Sequence, residues 1–285
     1  MSLQWYPGHM TKARRELAAL MPSQDLVIEV LDARLPEAST NPVITELRGD
    51  KPCIKVLTKS DLADPAATAA WLAHLQTLPG VTAYASTTDR PQEARRRIAE
   101  LSRGMALHRG PDKAVRALIA GVPNVGKSTL INTLMERPVA KVGDKPAVTK
   151  EQQAVRLRSG MEITDSPGLM WPKIEDETRA LRLALAGSIP DTAIDYMTIA
   201  MFGAKLLLAR YPKLIVARYK LAATPAAPEL LLAEIGRRRG GLRKGGTVDL
   251  HKAAEIFVHE FRAGVFGPIT LDLPPQDLPP QDPGA

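Results

Sequence analysis

Short apolar runs alternate with amphipathic stretches over about the first 170 residues of the chain. Runs rich in Val, Ile and Leu predict six strands, at residues 25–32, 53–57, 81–85, 115–120, 154–157 and 161–164. Between them, residues 10–20, 65–78 and 91–101 carry apolar side chains at helical spacing and predict helices. Strands that alternate with helices are typical of an α/β fold with a mostly parallel sheet.

Beyond about residue 171 the pattern becomes helical. Residues 176–187, 191–210, 228–238 and 249–263 predict four helices, and Asp191 and Asp249 stand where N-cap residues are expected. We therefore predict an α/β domain over residues 1–175 and an all-helical domain over residues 176–272. The remaining residues, 273–285, are rich in proline and predict a disordered tail.

The composition narrows the classes of function. Among 285 residues, 38 Lys and Arg stand against 31 Asp and Glu, and the net charge of +7 favours a polyanionic partner, nucleic acid before anionic lipid. The single cysteine, Cys53, excludes a disulfide framework and a cysteine-built zinc site. No apolar run in the sequence approaches the roughly 18 residues of a membrane span. We therefore expect a cytoplasmic protein without an integral membrane partner.

Residues 121–129 (GVPNVGKST) match the phosphate-loop pattern G-x-x-x-x-G-K-[ST] between a predicted strand and a predicted helix. In such a loop, backbone N–H groups and the helix N-terminus face phosphate oxygens. Lys127 would lie along the β- and γ-phosphates, and the Ser128 hydroxyl would bind Mg²⁺. The predicted nucleotide-binding residues of this loop are Asn124, Val125, Gly126, Lys127, Ser128 and Thr129. The alternative is a glycine-rich turn that binds no ligand.

An acidic loop follows the strand predicted at residues 161–164. Asp165 could hold Mg²⁺ through water, and the loop it opens, with Pro167 and Gly168, could bring the Gly168 N–H to the γ-phosphate. Thr149, which precedes this loop, could bring its hydroxyl and carbonyl to Mg²⁺ and the γ-phosphate. The alternatives are an ordinary turn at residues 165–168 and a solvated loop threonine at position 149.

Residues 58–61 (Thr-Lys-Ser-Asp) follow the strand predicted at 53–57 and resemble the guanine-reading motif Asn-Lys-x-Asp of GTPases. The carboxylate of Asp61 can accept the N1–H and the N2–H of guanine, a donor pair that adenine lacks. The stem of Lys59 can cover the plane of the base. The alternative is that Ser60 or Asp61 is a helix N-cap after an ordinary strand.

These base-reading residues come before the phosphate loop, which reverses the order of an ordinary small GTPase. Ser86 and Thr87, after the strand predicted at 81–85, resemble the short loop that also touches guanine, and they too precede residue 121. The order resembles that of circularly permuted GTPases, and permutation is tolerable because the termini of a compact domain often lie close together. It also leads the chain from the Asp165 loop almost directly into the predicted helical domain.

Further motifs narrow the resemblance: WYPGHM at residues 5–10, DARLP at 32–36, WPKIEDE at 171–177 and GRRRGGLRKGG at 236–246. With the loops above, they make the chain similar to the ribosome biogenesis GTPase A family of circularly permuted GTPases and its mitochondrial relatives, from about residue 5 to residue 272. The resemblance implies a circularly permuted P-loop GTPase domain followed by a helical RNA-binding domain.

For function, the resemblance implies an enzyme that hydrolyses GTP to GDP and phosphate with Mg²⁺. It implies action late in the maturation of the large (50S) ribosomal subunit, with GTP-dependent binding to the precursor particle, faster hydrolysis on that particle, and release afterwards. It also implies a protein that is monomeric off the ribosome. Two alternatives stay open: a P-loop ATPase or kinase, and a nucleotide-gated RNA-binding scaffold whose hydrolysis is incidental.

The resemblance also implies which residues act on the γ-phosphate. Leu169 stands where most GTPases have a catalytic glutamine, and the family is thought to use the histidine of its P-G-H-M motif, here His9, to position the water. His9, Lys127 and Thr149 are therefore the predicted catalytic residues. The alternative for His9 is a helix-start residue that bonds to backbone or RNA.

Asn124 matches the asparagine of potassium-stimulated GTPases and is a candidate K⁺ ligand, with an ordinary loop asparagine as the alternative. Thr58 stands where the family usually has asparagine, so one contact to guanine or between loops should differ.

A basic, glycine-rich segment near the C-terminus is the candidate RNA-binding surface. Its predicted RNA-binding residues are Arg237, Arg238, Arg239, Arg243 and Lys244. A mobile loop of this composition could follow an RNA backbone. The alternative is a solvated basic loop at a helix C-terminus, where positive charge is favoured in any case.

Overall fold

The computed structural model describes residues 7–110, 112–135, 154–166, 168, 170–171, 174, 176–242 and 246–275. Six strands form one sheet in the order β3-β2-β1-β4-β6-β5. The strands are β1 (Leu26–Asp32), β2 (Cys53–Thr58), β3 (Val81–Ala85), β4 (Val115–Ala120), β5 (Ala154–Arg156) and β6 (Met161–Asp165). All neighbours pair in parallel except β5 and β6. The prediction of a mostly parallel α/β sheet is confirmed.

Six helices accompany the sheet along the first half of the chain. They are α1 (Pro7–Leu20), α2 (Pro36–Ser39), α3 (Pro42–Arg48), α4 (Pro65–Gln76), α5 (Pro91–Met105) and α6 (Lys127–Met135). The short helices α2 and α3 were not predicted, since each is too brief to show an apolar period and begins at a proline. Strands β1 and β2 are buried along their whole length, which explains why their apolar runs are nearly unbroken.

Five helices follow the sheet, so the C-terminal part is helical as predicted. They are α7 (Glu177–Leu185), α8 (Tyr196–Arg210), α9 (Pro212–Tyr219), α10 (Pro228–Arg238) and α11 (Leu250–Arg262). Asp249 caps α11 as predicted, and its side chain accepts from the N–H of Lys252. The short helix α9 was not predicted, because it follows α8 with only Tyr211 between them.

The predicted N-cap at Asp191 is wrong. Helix α8 begins five residues later and is capped by Asp195, whose carboxylate accepts from the N–H groups of Met197 and Thr198. Asp191 instead opens a single 3₁₀ turn, and its carboxylate accepts from Nη1 of Arg262 at 2.8 Å. Both aspartates fit the sequence pattern of a cap, and a partner distant in sequence decides between them.

The end of the described chain returns from the helices to the sheet. The N–H of Ile269 donates to the carbonyl of Leu62 at 3.0 Å, and the indole N–H of Trp71 donates to the carbonyl of Asp272 at 3.2 Å. The Asp272 carboxylate accepts from the N–H of Ala38 at 3.0 Å. Most buried apolar residues of the sheet and of the C-terminal helices belong to one large core, and a smaller cluster lies between strands β1–β3 and helix α4. The C-terminal end of the helical part is therefore docked on the α/β part.

The domain limits at residues 175 and 272 stay a prediction, and so does the disordered tail, of which residues 276–285 lie outside the described chain. Within the described residues, we find no helix of the length and apolarity needed to cross a membrane.

Candidate functional site

The phosphate loop connects the buried strand β4 to helix α6, as its sequence predicts. Asn124 and Gly126 adopt positive φ angles of 60° and 95°, which turn the backbone sharply before Lys127 opens the helix. A Cβ atom on Gly121 would stand 2.7 Å from the carbonyl oxygen of Val30, so this position admits only glycine. The loop therefore presents the N-terminus of α6, which is the arrangement that binds phosphate.

The residues predicted to meet the γ-phosphate and Mg²⁺ lie beside this loop. The ammonium of Lys127 forms an ion pair with the carboxylate of Asp165, because β4 and β6 are parallel neighbours and end at the same edge of the sheet. A Cβ atom on Gly168 would stand 3.5 Å from Pro123 of the phosphate loop. Ser128 lies in the first turn of α6 and is half-buried. Thr149, Pro167 and Leu169 lie outside the described residues.

A cavity of about 260 Å³ opens next to the phosphate loop. Its lining includes most of the predicted base-reading residues and part of the phosphate loop: Thr58, Lys59, Asp61, Leu62, Ser86, Thr87, Thr88, Gly126, Thr129, Leu130 and Thr133. The carboxylate-bearing Asp61 is exposed at this cavity. Loops whose residues Lys59 and Asn124 are 65 residues apart in sequence therefore converge on one pocket, as the permuted order requires.

Direct bonds hold the base-reading loops to the phosphate loop. The hydroxyl of Thr58 lies 2.9 Å from the carbonyl oxygen of Leu31 and in close contact with that of Val125. The N–H of Ser60 donates to the carbonyl of Ser86 at 3.2 Å. Thr58 thus fills the place of the family's asparagine with a hydroxyl that bridges strand β1 and the phosphate loop.

The N-cap alternative for Ser60 and Asp61 does not hold. Residues Ser60–Leu62 form one 3₁₀ turn, and Lys59 precedes it in a left-handed conformation with no side-chain capping bond. Helix α4 is capped by Asp64 instead, whose carboxylate accepts from two N–H groups of the first turn.

Lys59 is held by a buried ion-pair network. Its ammonium donates to Oδ2 of Asp32 at 2.8 Å and to the carbonyl of Asn124 in the phosphate loop at 2.7 Å. Asp32 also pairs with the guanidinium of Arg34, and both side chains are only 2% exposed. Burial alone would raise the pKa of Asp32, but Arg34 and Lys59 outweigh it and hold the pKa well below its usual range.

The sequence analysis assigned no role to Asp32 and Arg34, which appeared there only as part of the motif DARLP. Two opposite charges at the end of a mostly apolar strand were the available signal, because such charges are buried only when they are paired.

The side chain of Asn124, the candidate K⁺ ligand, reaches the helical part of the molecule. Its amide nitrogen donates to the carbonyl of Gly187, just after α7, at 2.7 Å. The phosphate loop is therefore bonded directly to the helical part. The role of Asn124 toward K⁺ stays a prediction.

The predicted RNA-binding arginines are partly engaged by acidic neighbours. Arg237 and Arg238 lie in the last turn of α10, and both pair with Glu234 one turn earlier. These hydrogen bonds lower the pKa of Glu234. Arg239 lies 3.6 Å from the carboxylate of Glu260. Glu234 and Glu260 both lie outside the basic segment, so the composition of that segment does not reveal either partner.

The expectation of a mobile loop does not fit the described part of this segment. A Cβ atom on Gly236 would stand 2.4 Å from the side chain of Val248, so the segment starts in a packed helix. The N–H of Gly241 donates to the carbonyl of Gly236 at 2.8 Å. Arg243 and Lys244 lie outside the described residues.

Comparison with known proteins identifies the family of this site. A family model described as "50S ribosome-binding GTPase" matches residues 116–199. Ribosome biogenesis GTPase A of Bacillus pumilus is 41% identical over 96% of this chain and 99% of its own length. The chain belongs to the ribosome biogenesis GTPase A family. The family member from Thermotoga maritima is 31% identical over 98% of this chain and 97% of its own length.

Solved structures agree with this assignment to the ribosome biogenesis GTPase A family. A crystal structure of GNP-bound YlqF from T. maritima has a TM-score of 0.66 and 28% identity, covering 93% of this chain and 99% of its own. A GDP-bound structure of YlqF has a TM-score of 0.66 and 27% identity. The protein is therefore a ribosome biogenesis GTPase, which binds guanine nucleotide and hydrolyses GTP. The P-loop ATPase or kinase alternative is left without support.

Proposed function

We propose that this GTPase is an assembly factor in the late maturation of the large (50S) ribosomal subunit and that it binds the precursor particle and its rRNA when GTP is bound. The observation that carries this proposal is the pair of contacts between the nucleotide loops and the helical part, at Asn124–Gly187 and Arg34–Phe261. These contacts give a route by which the nucleotide state can alter the helical surface. Off the ribosome we take the protein to be monomeric and cytoplasmic, with the two domains divided near residue 175.

Guanine recognition falls to the loops that line the cavity. The exposed carboxylate of Asp61 accepts the N1–H and N2–H of the base, and the stem of Lys59 covers the base plane. Ser86 and Thr87 close the pocket from the neighbouring loop. Adenine offers no matching donor pair, so the carboxylate of Asp61 gains no hydrogen bond from it and adenine nucleotides bind weakly.

The phosphate side uses the predicted phosphate-loop residues, from Asn124 to Thr129. Their backbone N–H groups bind the phosphates, and Lys127 leaves the carboxylate of Asp165 to lie along the β- and γ-phosphates. Gly168 packs against the phosphate loop, and we assign its N–H to the γ-phosphate. Pro167 precedes it in the same proposed binding loop.

The donor set at this edge suits Mg²⁺. The hydroxyl of Ser128 and the carboxylate of Asp165 are hard oxygen donors on adjacent elements, and we add Thr149 as a third. The described residues contain no group of three or more His, Cys, Asp or Glu side chains that could hold a metal by themselves. This fits an ion that takes most of its ligands from nucleotide and water, where it neutralises phosphate charge.

For hydrolysis we propose that His9 positions the attacking water. His9 lies in the first turn of α1, and its side chain is outside the described residues. A neutral imidazole at hydrogen-bond distance from water can orient it toward the γ-phosphate. Lys127 stabilises the charge that develops on the phosphate oxygens, and Thr149 orients the γ-phosphate. Asn124 remains the candidate for holding K⁺ beside the phosphates.

RNA contact is assigned to the basic segment after α10, through Arg237, Arg238, Arg239, Arg243 and Lys244. Its described arginines are 38–56% exposed, so phosphate oxygens can reach them. The net charge of +7 on the whole chain supports the same class of partner.

The test is GTP turnover with and without large-subunit precursor particles. We expect the particle to stimulate turnover at least about a hundredfold, the lower end of what one positioned general base contributes. His9→Ala should remove most of that stimulation while GDP affinity stays within about twofold, because the group that we assign to His9 is the attacking water, which GDP binding does not require. His251→Ala, an exposed histidine at the start of α11, is the matched control and should behave as wild type.

Two results would contradict the proposal in different ways. A particle that leaves turnover unchanged, with GDP binding intact, contradicts the ribosomal role. Full stimulation in His9→Ala means that His9 is not the group that positions the attacking water.

A further inference from the structure

A single buried arginine joins the guanine-reading loop to the helical part of the molecule. Arg34 follows strand β1 and is 2% exposed. Its Nε and Nη2 donate to the two carboxylate oxygens of Asp32 at 3.0 and 2.8 Å. Its Nη1 lies 3.3 Å from the carbonyl of Phe261 and 3.4 Å from that of Arg262, at the C-terminal end of α11. The guanidinium therefore bridges a strand end and a helix end that are 227 residues apart.

The same network continues to the nucleotide. Oδ2 of Asp32 is shared between Arg34 and the ammonium of Lys59, which also donates to the carbonyl of Asn124. A continuous series of charged bonds thus runs from the α11 carbonyls through Arg34, Asp32 and Lys59 to the phosphate loop.

This network determines where the stem of Lys59 lies before nucleotide binds. A free lysine side chain samples many rotamers and loses that freedom when it packs on a base. Lys59 is only about a quarter exposed, and its ammonium already has two acceptors in fixed positions. Ordering of the stem is then a property of the protein and not a consequence of binding, which strengthens binding.

Arg34 is the member on which the arrangement depends. Without it, Asp32 would be a fully buried carboxylate with Lys59 as its one cationic partner. The carboxylate would then take up a proton and release Lys59, or draw Lys59 away from Asn124. Either outcome removes the fixed stem that the base packs against.

We propose that Arg34 is a positioning residue for guanine nucleotide: it holds Lys59 in place through Asp32 and makes nucleotide affinity depend on the docking of α11. The inference rests on the proposed assignment of Lys59 to the guanine site. Arg34 itself touches neither base nor phosphate, but it makes the affinity for nucleotide depend on the position of the helical part.

The test is a double-mutant cycle on the full chain, with fluorescent GDP as the probe in an equilibrium titration. We expect Arg34→Gln to weaken GDP binding about tenfold, the scale of one charge-assisted hydrogen bond, and Lys59→Ala to weaken it at least as much. In the double variant the losses should not multiply, and its dissociation constant should lie within about twofold of that of Lys59→Ala.

Arg179→Gln is the matched control. Arg179 also joins the helical part to the α/β part, since its guanidinium donates to the carbonyl of Ala38 at 3.1 Å and lies 4.3 Å from the ring centre of Trp171. It forms no described bond with Asp32 or Lys59. We expect its GDP affinity within about twofold of wild type, the usual scatter of independent sites.

A second readout separates positioning from folding. Without Arg34 the pKa of Asp32 rises, because Lys59 is then the cation left beside it. The GDP affinity of Arg34→Gln should therefore fall further as the pH is lowered toward 5, while that of wild type changes little. The charged groups that face Asp32 are Arg34 and Lys59, with Asp61 close to Arg34. If Arg34→Gln does not fold, Arg34→Lys takes its place. This variant keeps the positive charge but lacks the planar fork that bonds Asp32 and α11 at the same time. It should weaken GDP binding when Lys59 is present and have no further effect in the Lys59→Ala background.

Three outcomes would overturn the inference or its basis. Losses that multiply in the double variant mean that Arg34 does not act through Lys59. A loss in Arg179→Gln equal to that in Arg34→Gln means that Arg34 only holds the two parts together. Wild-type GDP affinity in Lys59→Ala contradicts the guanine-site assignment itself, independently of Arg34.

Discussion

Thr58→Val tests whether the base-reading loop and the phosphate loop act as one unit. The two side chains have the same shape, so the substitution removes only a hydroxyl. Thr58 is 8% exposed, and its hydroxyl lies 2.9 Å from the carbonyl of Leu31 and in close contact with that of Val125. A Cβ atom placed on Gly126 would stand 3.2 Å from the same hydroxyl, so the two loops are in direct contact.

The expected magnitude follows from one lost hydrogen bond and one buried carbonyl left without a donor. Such a change costs about 1–3 kcal/mol. The carbonyl of Val125 belongs to the phosphate loop, so part of this cost appears as weaker nucleotide binding and part as lower stability. We expect GDP affinity to fall by about fivefold or more, which corresponds to roughly 1 kcal/mol, and the free energy of unfolding to fall by a similar amount.

The assay is a GDP titration together with urea unfolding. Thr68→Val is the control: its hydroxyl donates to the carbonyl of Asp64 at 2.9 Å within α4, and it is 7% exposed, outside the cavity lining. The control should lose stability but keep its GDP affinity. If Thr58→Val binds GDP as tightly as wild type and resembles Thr68→Val in all respects, the two loops are not coupled through this hydroxyl.

Three further predictions follow from single positions. Gly121→Val should weaken GDP binding at least about tenfold with the secondary structure retained by circular dichroism, because its Cβ would stand 2.7 Å from the fixed carbonyl of Val30; near-wild-type affinity would contradict the steric argument. Burial raises the pKa of Asp272 to about 7, so the contribution of this one carboxyl group to stability is complete below its unfolded pKa near 3.8 and is lost as the pH rises through about 7. Asp272→Asn should remove that loss, at most about 4 kcal/mol, and urea unfolding that shows the same pH dependence in both proteins would exclude it. Glu234→Gln should free the two arginines in the last turn of α10 and raise affinity for a labelled RNA oligonucleotide about fivefold at low salt, with a steeper salt dependence; unchanged affinity would argue against RNA contact there.

Much of the fold could be predicted because strands β1, β2 and β4 are buried along almost their whole length. Continuous apolar runs gave β3 and β4 to the residue and the other strands to within one residue, since such runs are bounded sharply by polar turns. The short helices α2, α3 and α9 were not predicted, because they are too short to show a helical period of apolar residues. The choice between Asp191 and Asp195 as the α8 cap depended on Arg262, which no local pattern reveals.

Site residues could be predicted from the sequence where they belong to a short motif of known chemical function. The phosphate loop and the residues from Thr58 to Asp61 meet at one cavity, as the motif types and their permuted order require. The supporting contacts were not predictable, because they join residues far apart in sequence: Arg34 with Phe261, and Asn124 with Gly187. Their formation depends on the docking of the helical part, which is a tertiary event.

The central claim is that Lys59 and Asp61 read the purine whose phosphates the loop before α6 holds. The most direct measurement is competition of GDP, IDP and ADP against fluorescent GDP, in wild type and in Asp61→Ala. The account predicts that wild type prefers GDP over ADP by at least about 100-fold and over IDP, which lacks the N2 amine, by about tenfold, and that Asp61→Ala loses both preferences. ADP that competes as well as GDP in wild type, or a preference that survives in Asp61→Ala, would contradict it.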